Sequence, residues 1–185
     1  MTLELSRRGI LGVFAATTVV AAPVMANAFG IVRGAGDYRR IRMYSPRTGE
    51  SIDTVYWVDG KYVRDALNEV NILMRDWRTG QVIGVDPRTV DVAAASHRLM
   101  QTNEPYMMLS GYRSPKTNAM LRSKSVGVAR NSLHMVGKAA DLRLKSRSVN
   151  QMYQAASACK AGGVGKYSRS NFVHMDCGPL RTWGS

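Results

Sequence analysis

The sequence predicts an α+β fold: a single domain with a small antiparallel sheet flanked by helices. Three observations carry this. The chain has 185 residues, room for one ordinary domain and for no second of similar size. Apolar residues make up 45 % and charged residues 21 %, which permits a packed core and excludes wholesale disorder. Apolar patterns of period 2 and of period near 3.6 are mixed along the chain without regular strand–helix–strand alternation, and that mixture favours an antiparallel sheet.

The domain is preceded by an address. Residues 1–28 read as an export signal: Arg7 and Arg8 stand directly before an apolar run from Ile10 to Ala22. That run is about 13 residues, too short to cross a hydrocarbon core of roughly 30 Å comfortably. Ala26-Asn27-Ala28 then places small residues where a signal peptidase reads. The segment Ser6-Arg7-Arg8-Gly9-Ile10-Leu11 resembles the twin-arginine export signal, with an ordinary secretory signal as the alternative. Cleavage after Ala28 would leave a periplasmic or otherwise exported chain with no stable membrane insertion.

Residues 29–62 form an arm and a hairpin. The Gly-rich stretch 29–38 reads as a mobile arm. Arg40 to Tyr44 and Ser51 to Val58 read as strands joined across Ser45-Pro46-Arg47-Thr48-Gly49, and Asp59-Gly60 is a further turn signal. Residues 63–185 are the core of the domain. Val63, Leu67, Val70, Met74 and Trp77 lie on one helical face, with a stop near Thr79-Gly80. Asp86-Pro87 starts a second helix, with Asp as N-cap and Pro at the first helical position, and Val92, Ala95 and Leu99 form its apolar face. Tyr106 to Leu109 is a strand, and Ser114-Pro115 opens a third helix. Ala139 to Leu144 alternates as a strand, with Asp141 on the face opposite Ala140 and Leu142. Ser148 caps a helix with Val149, Met152, Ala156 and Cys159 inward, ended by Gly162-Gly163. Asn171 to Asp176 is the last strand, with Phe172, His174 and Asp176 on one face and Val173 and Met175 on the other.

Charge narrows the partners. The formal net charge is +13 with a pI near 10.3, which favours a polyanion without naming one. Removing residues 1–28 takes away Arg7, Arg8 and Glu4, so the basic character stays with the domain. Export separates it from chromosomal DNA, and the basic residues are dispersed with no run that reads as a nucleic-acid arm. Anionic lipid and an acidic cell-wall polymer both stay open at this point, and a nucleic-acid partner is not expected.

The chemistry is concentrated in Ser132-Leu133-His134-Met135-Val136-Gly137-Lys138-Ala139-Ala140-Asp141-Leu142. A His in a loop and an Asp opening a strand, separated by a Gly turn, can face one point. His174, on the last strand, supplies a third donor. Two imidazoles and one carboxylate, with water in the fourth place, is the composition of a catalytic zinc site, which lowers the pKa of its water to about 7 and polarises a carbonyl. For either His alone, a hydrogen-bonded structural role is the competing reading. Asp141 alone reads more readily as a strand-end residue satisfied by backbone amides.

This segment resembles the S-x-H-x-x-G-x-A-x-D signature of the zinc DD-peptidases of bacterial cell walls, the superfamily that also contains Hedgehog-like domains. Upstream, Ser110-Gly111-Tyr112-Arg113-Ser114-Pro115-Lys116-Thr117-Asn118 is similar to the family's S-G-Y-R-S-P-x-x-N segment. Downstream, Tyr167, Phe172-Val173-His174-Met175-Asp176 and the tail Pro179 to Trp183 resemble its closing segment. Three motifs in the correct order cover about Val63 to Trp183, and the branch they resemble is that of small exported murein endopeptidases. The resemblance implies one zinc ion on His134, Asp141 and His174, and hydrolysis of peptide bonds in peptidoglycan stem peptides or cross-links. It places Arg113 on the substrate, binding a carboxylate or a developing oxyanion, with Ser132 and Tyr112 of the matched segments as further substrate contacts. DD or LD cleavage, and endopeptidase or carboxypeptidase action, stay open at this point.

One departure matters. Relatives place a Glu three residues before the last His ligand, or a His two before it, as general base. Those positions here are Asn171 and Phe172, and neither takes a proton. Asp176 is the nearest substitute, either as a catalytic base or as a hydrogen-bond partner that holds His174. The alternative function is a peptidoglycan-binding module of the same fold that does not cut. The two cysteines, Cys159 and Cys177, pair as a disulfide in one reading, which export permits, and are core thiols in the other.

Overall fold

A hairpin begins the fold. In the computed structural model, which describes residues 39–184, β1 (Arg39–Tyr44) runs antiparallel to β2 (Ser51–Val58). The export segment 1–28 and the arm 29–38 lie outside the described residues. Asp59 and Gly60 both take positive φ, the requirement of a two-residue hairpin turn, and lead into β3 (Lys61–Tyr62).

Four helices follow at the expected places. α1 (Arg64–Leu73) stops a turn and a half before the Thr79-Gly80 signal. Its buried residues are Ala66, Val70 and Leu73, while Val63 and Trp77 are 37 % and 36 % exposed. The apolar spacing runs on past the helix, into a turn where Asp76, 1 % exposed, accepts from the Ser114 and Arg78 amides at 2.9 and 3.0 Å. α2 (Pro87–Leu99) is capped by Asp86, whose side chain accepts from Arg88 N. It is buried on more sides than one stripe: Val90, Val92 and Ala95 are covered, and only Leu99 of the expected face is exposed. α3 (Pro115–Lys124) is capped by Ser114. α4 (Val149–Ala158) carries a full capping box from Ser148 and Gln151. No helix among the described residues is long and apolar enough to cross a membrane.

The remaining strands are β4 (Tyr106–Ser110), β5 (Ala139–Arg143), β6 (Gly163–Tyr167), β7 (Phe172–Asp176) and β8 (Arg181–Gly184). All eight form one sheet in the order β3-β2-β1-β4-β5-β7-β6-β8. The α+β class stands, but the sheet is mixed rather than purely antiparallel. β1 pairs with β4, and β6 with β8, in parallel. The first of these pairings is reached by a crossover through α1 and α2, as parallel neighbours require.

Three strands escape the sequence pattern, β3, β6 and β8, and β8 follows the strand expected to be the last. Gly162-Gly163 reads as a helix stop, yet Gly163 starts β6. A Cβ on Gly163 would stand 2.5 Å from the Asp176 carboxylate, and one on Gly165 2.5 Å from the Trp183 ring. Close approach selects glycine there and removes the β-branched signal by which a strand is recognised.

The register sorts the residues of the central strands. Ala140 opposes Met175, Leu142 opposes Val173, and Val164 opposes Met175. These belong to the core, against which α2 and α4 pack. Asp141 opposes His174 directly, on the other face of the same strands.

Candidate metal centre

His134 is placed by a turn. Ser132 caps a single turn of 3₁₀ helix over Leu133–Val136, its hydroxyl accepting from the His134 amide at 3.4 Å. Gly137 closes that turn with φ of 66°. A Cβ there would also meet the Gly84 carbonyl at 2.7 Å, so the glycine of the motif answers to both conformation and space. The imidazole is 2 % exposed. Its Nδ1–H donates to the Gly111 carbonyl at 2.7 Å, and since a carbonyl can only accept, this leaves the Nε2 lone pair directed inward.

His174 is fixed in the complementary way. Its Nε2–H donates to Asp176 Oδ2 at 3.0 Å, which leaves Nδ1 facing Asp141. His134 Nε2, His174 Nδ1 and Asp141 Oδ1 are then separated by 3.2, 3.2 and 2.9 Å. Three acceptors brought this close repel one another unless a cation lies among them. Ligand bonds of about 2.0–2.1 Å in a tetrahedron place donors about 3.3–3.4 Å apart, close to the spacing seen. The residues present therefore fit a zinc-type ion. These three are the only His/Cys/Asp/Glu group among the described residues with such convergence. The third histidine, His97, is engaged with the Glu104 carbonyl at 2.6 Å.

The charges agree with the geometry. Burial holds His134 below the usual histidine range. Burial alone would raise Asp141, but its contacts with the His134 and His174 rings outweigh it and hold its carboxyl well below the usual range. His174 is pushed up to about 9: burial opposes this, and the bonds to Asp141 and Asp176 prevail, so that a positive charge, a proton or a metal ion in its place, is favoured between Nδ1 and Asp141. The pocket thus attracts positive charge. Arg113 adds to the far side of Asp141, donating from Nη2 to Oδ2. Its Nε donates to Ser110 Oγ at 2.8 Å, and Nη2 lies 3.2 Å from His134 Nε2.

These groups open into a cleft of about 330 Å³, lined by the triad, Arg113 and Ser132 on one side and by Tyr167, Phe172 and Trp183 on the other. Tyr167 and Phe172 stack at 4.5 Å. The Trp183 ring lies 5.2 Å from that of His174, and its Nε1–H donates to the Tyr167 hydroxyl at 3.1 Å. The aromatic wall was not read from the sequence as a site. Its only trace was the spacing of the closing segment, because the contact that creates it, Trp183 against Gly165, joins two unrecognised strands.

Three expectations change. Tyr112 is not a cleft residue: it is 6 % exposed and its hydroxyl bonds Gln81 Oε1 at 3.2 Å, so it supports the loop that carries Arg113. Asp176 is 0 % exposed and does not line the cleft. Its Oδ2 accepts from His174 and from Arg181 Nη2 at 2.6 Å, and its Oδ1 from the Gly163 and Gly178 amides at 3.0 and 2.8 Å. Burial would raise this carboxyl, but the bond to His174 and the two amides bring it down to about 2. Cys159 and Cys177 are free thiols rather than a disulfide. Cys159 packs on Ala95, whereas Cys177 accepts from Thr89 Oγ1 at 3.3 Å. Those contacts are six residues apart on α2, about 9 Å along the helix at 1.5 Å per residue.

Comparison with known proteins gives a consistent result. A family model described as peptidoglycan L,D-endopeptidase MepK matches residues 33–183. The peptidoglycan L,D-endopeptidase MepK of Escherichia coli (strain K12) is 38 % identical over 145 residues, covering 78 % of this chain and 80 % of that one. The probable peptidoglycan L,D-endopeptidase MepK of Haemophilus influenzae is 39 % identical over 137 residues, 74 % of each chain.

Proposed function

The chain belongs to the peptidoglycan L,D-endopeptidase MepK family of peptidases, and on that premise we propose that it is a zinc-dependent endopeptidase that hydrolyses L,D peptide bonds in peptidoglycan cross-links. The observation that supports this most directly is the convergence of His134 Nε2, His174 Nδ1 and Asp141 Oδ1, each with its other face already hydrogen-bonded. Those three residues would hold the ion, which when bound acidifies a water molecule and polarises a carbonyl.

The chain's own groups do the rest. The Gly111 carbonyl and the Asp176 carboxylate fix the two imidazoles in the tautomers that present a lone pair. Of the two roles open to Asp176, we assign it this positioning one. Arg113 holds a fixed positive charge at the cleft floor beside Asp141 and His134, where it binds a substrate carboxylate or the oxygen that gains charge as the amide is attacked. Ser132 fixes the turn and lines the cleft beside them. Tyr167, Phe172 and Trp183 give the peptide an apolar wall and limit water. The Arg-Arg signal at residues 7–8 supports export, and we place the enzyme in the periplasm, acting on the wall polymer there.

The test is mass spectrometry of muropeptides from purified sacculi after digestion, with zinc added and with chelator. L,D-linked cross-links are expected to be opened only with metal, and not by His134→Ala. Sacculus binding that survives chelation, with no product under either condition, would instead identify a binding module. That reading is favoured by one observation, the absence of a proton acceptor at Asn171 and Phe172.

A further inference from the structure

The loop after α1 and the β1–β2 turn together gather positive charge that is only partly paired. Trp77 is 36 % exposed. The Arg78 guanidinium carbon lies 4.2 Å from the centroid of its ring, and that of Arg47, from the β1–β2 turn, lies 5.5 Å from it. Neighbouring arginines have found carboxylates: Arg75 pairs with Glu50 at 2.7 Å and Arg113 with Asp141. Among the described residues Arg47 and Arg78 meet none. Asp76, two residues before Arg78, is buried and committed to the Ser114 and Arg78 amides and to the Thr117 and Ser114 side chains.

That same carboxylate relates the patch to the cleft. Asp76 Oδ1 accepts from the Arg78 amide and Oδ2 from the amide of Ser114, next to Arg113. One buried group therefore pins Arg78 and the active-site loop to each other. Burial first, then the like charges of Arg47 and Arg113, hold Arg78 below the usual arginine range, with Asp76 opposing. Like charges held together by the fold, on and beside an exposed indole, are a surface that an anion completes. Guanidinium groups favour carboxylates, which they grip through two parallel hydrogen bonds. The ring keeps the guanidiniums in place by cation–π attraction and offers an apolar surface to the adjoining peptide.

We propose that Arg47, Trp77 and Arg78 form an accessory substrate-binding patch, beside the Arg113 loop and outside the metal centre, which takes a free carboxylate of the peptidoglycan peptide. The assignment rests on the peptidase reading for the name of the ligand. The charge argument is independent of that reading.

The test uses the zinc-loaded full chain, the double variant Arg47→Gln/Arg78→Gln, and Trp77→Leu, with a purified cross-linked muropeptide in its free-acid and amidated forms. With the free acid, KM should rise roughly three- to tenfold in the double variant, the scale of two exposed charge pairs, while kcat stays within about twofold. The difference should shrink at high salt. With the amidated substrate the double variant and the parent should share one KM. Trp77→Leu should raise KM for both forms. An unchanged KM for the free acid overturns the proposal, as does an equal rise for the amidated form. If the parent protein cleaves nothing, the peptidase reading fails by itself. Calorimetric binding of the same two muropeptides then decides the patch: weaker binding of the free acid alone by the double variant supports it, and equal binding overturns it.

Discussion

Strands β5 and β7 present two faces of opposite character. On one, Ala140, Leu142, Val173 and Met175 are at most 2 % exposed and lie in the core under α2 and α4. On the other, Asp141, His174 and Asp176 are nearly as buried, at 5, 9 and 0 %, yet every polar atom is aimed at another polar atom. The first face gains free energy by losing water. The second loses free energy when its charges are desolvated, and recovers it through mutual bonds and, on the proposed function, a bound cation. Adjacent residues on one strand therefore serve stability and chemistry separately, and they should respond separately when changed.

The sharpest way to separate the faces is His134→Ala. Hydrolysis should fall by more than about 10³-fold, several kcal/mol of transition-state stabilisation, with bound zinc lost in parallel by atomic absorption. Cooperative unfolding should persist. The opposite operation is Leu142→Ala, one residue from Asp141. It should cost about 2–5 kcal/mol of stability in urea titration, while the folded protein keeps its zinc and its kcat. Loss of zinc at the temperature where the variant is still folded would break the separation.

Asp176→Asn lies on the boundary, since it touches His174 and not the substrate. It should weaken zinc affinity or activity roughly 10–100-fold. The pH profile of kcat/KM should keep its shape and only its height should fall. A profile that loses its acid limb would instead make Asp176 the base.

The smallest effect concerns Asp76, which supports the Arg113 loop from outside the sheet. Burial would raise its pKa, but hydrogen bonds from the Thr117 and Ser114 side chains and from the Ser114 and Arg78 amides bring it to about 2. A depressed folded value stabilises the native state above the unfolded pKa of about 3.9, and that contribution disappears as pH falls through about 2. Asp76→Asn should therefore cost roughly 1–2 kcal/mol at pH 6. The gap to the parent in urea midpoint should narrow as pH approaches 2.5.

The site was more legible than the sheet. His134, Asp141 and His174 could be read because metal donors are chemically rare side chains, and because strand alternation alone puts Asp141 and His174 on faces that can meet. The caps at Asp86, Ser114 and Ser148 were legible because they act within three residues. What stayed hidden depends on contacts across the fold. β6 lacks a strand signature because Trp183 and Asp176 leave room only for glycine. α1 ends before its apolar spacing does, and the turn that follows is held by the Asp76 bond to Ser114, a residue 38 positions further on. Tyr112 sits beside Arg113 in the chain but turns to Gln81 rather than to the cleft. Two cysteines that share a core meet different turns of α2.

The edge strand β8 has a consequence in time as well as in space. It brings Arg181 to the Asp176 carboxylate and Trp183 to the cleft wall, and it follows every other described element in chain order. Until it docks, the fully buried Asp176 lacks its counter-charge and the aromatic wall is incomplete. A growing chain thus completes all the other described strands and helices before these two contributions can form.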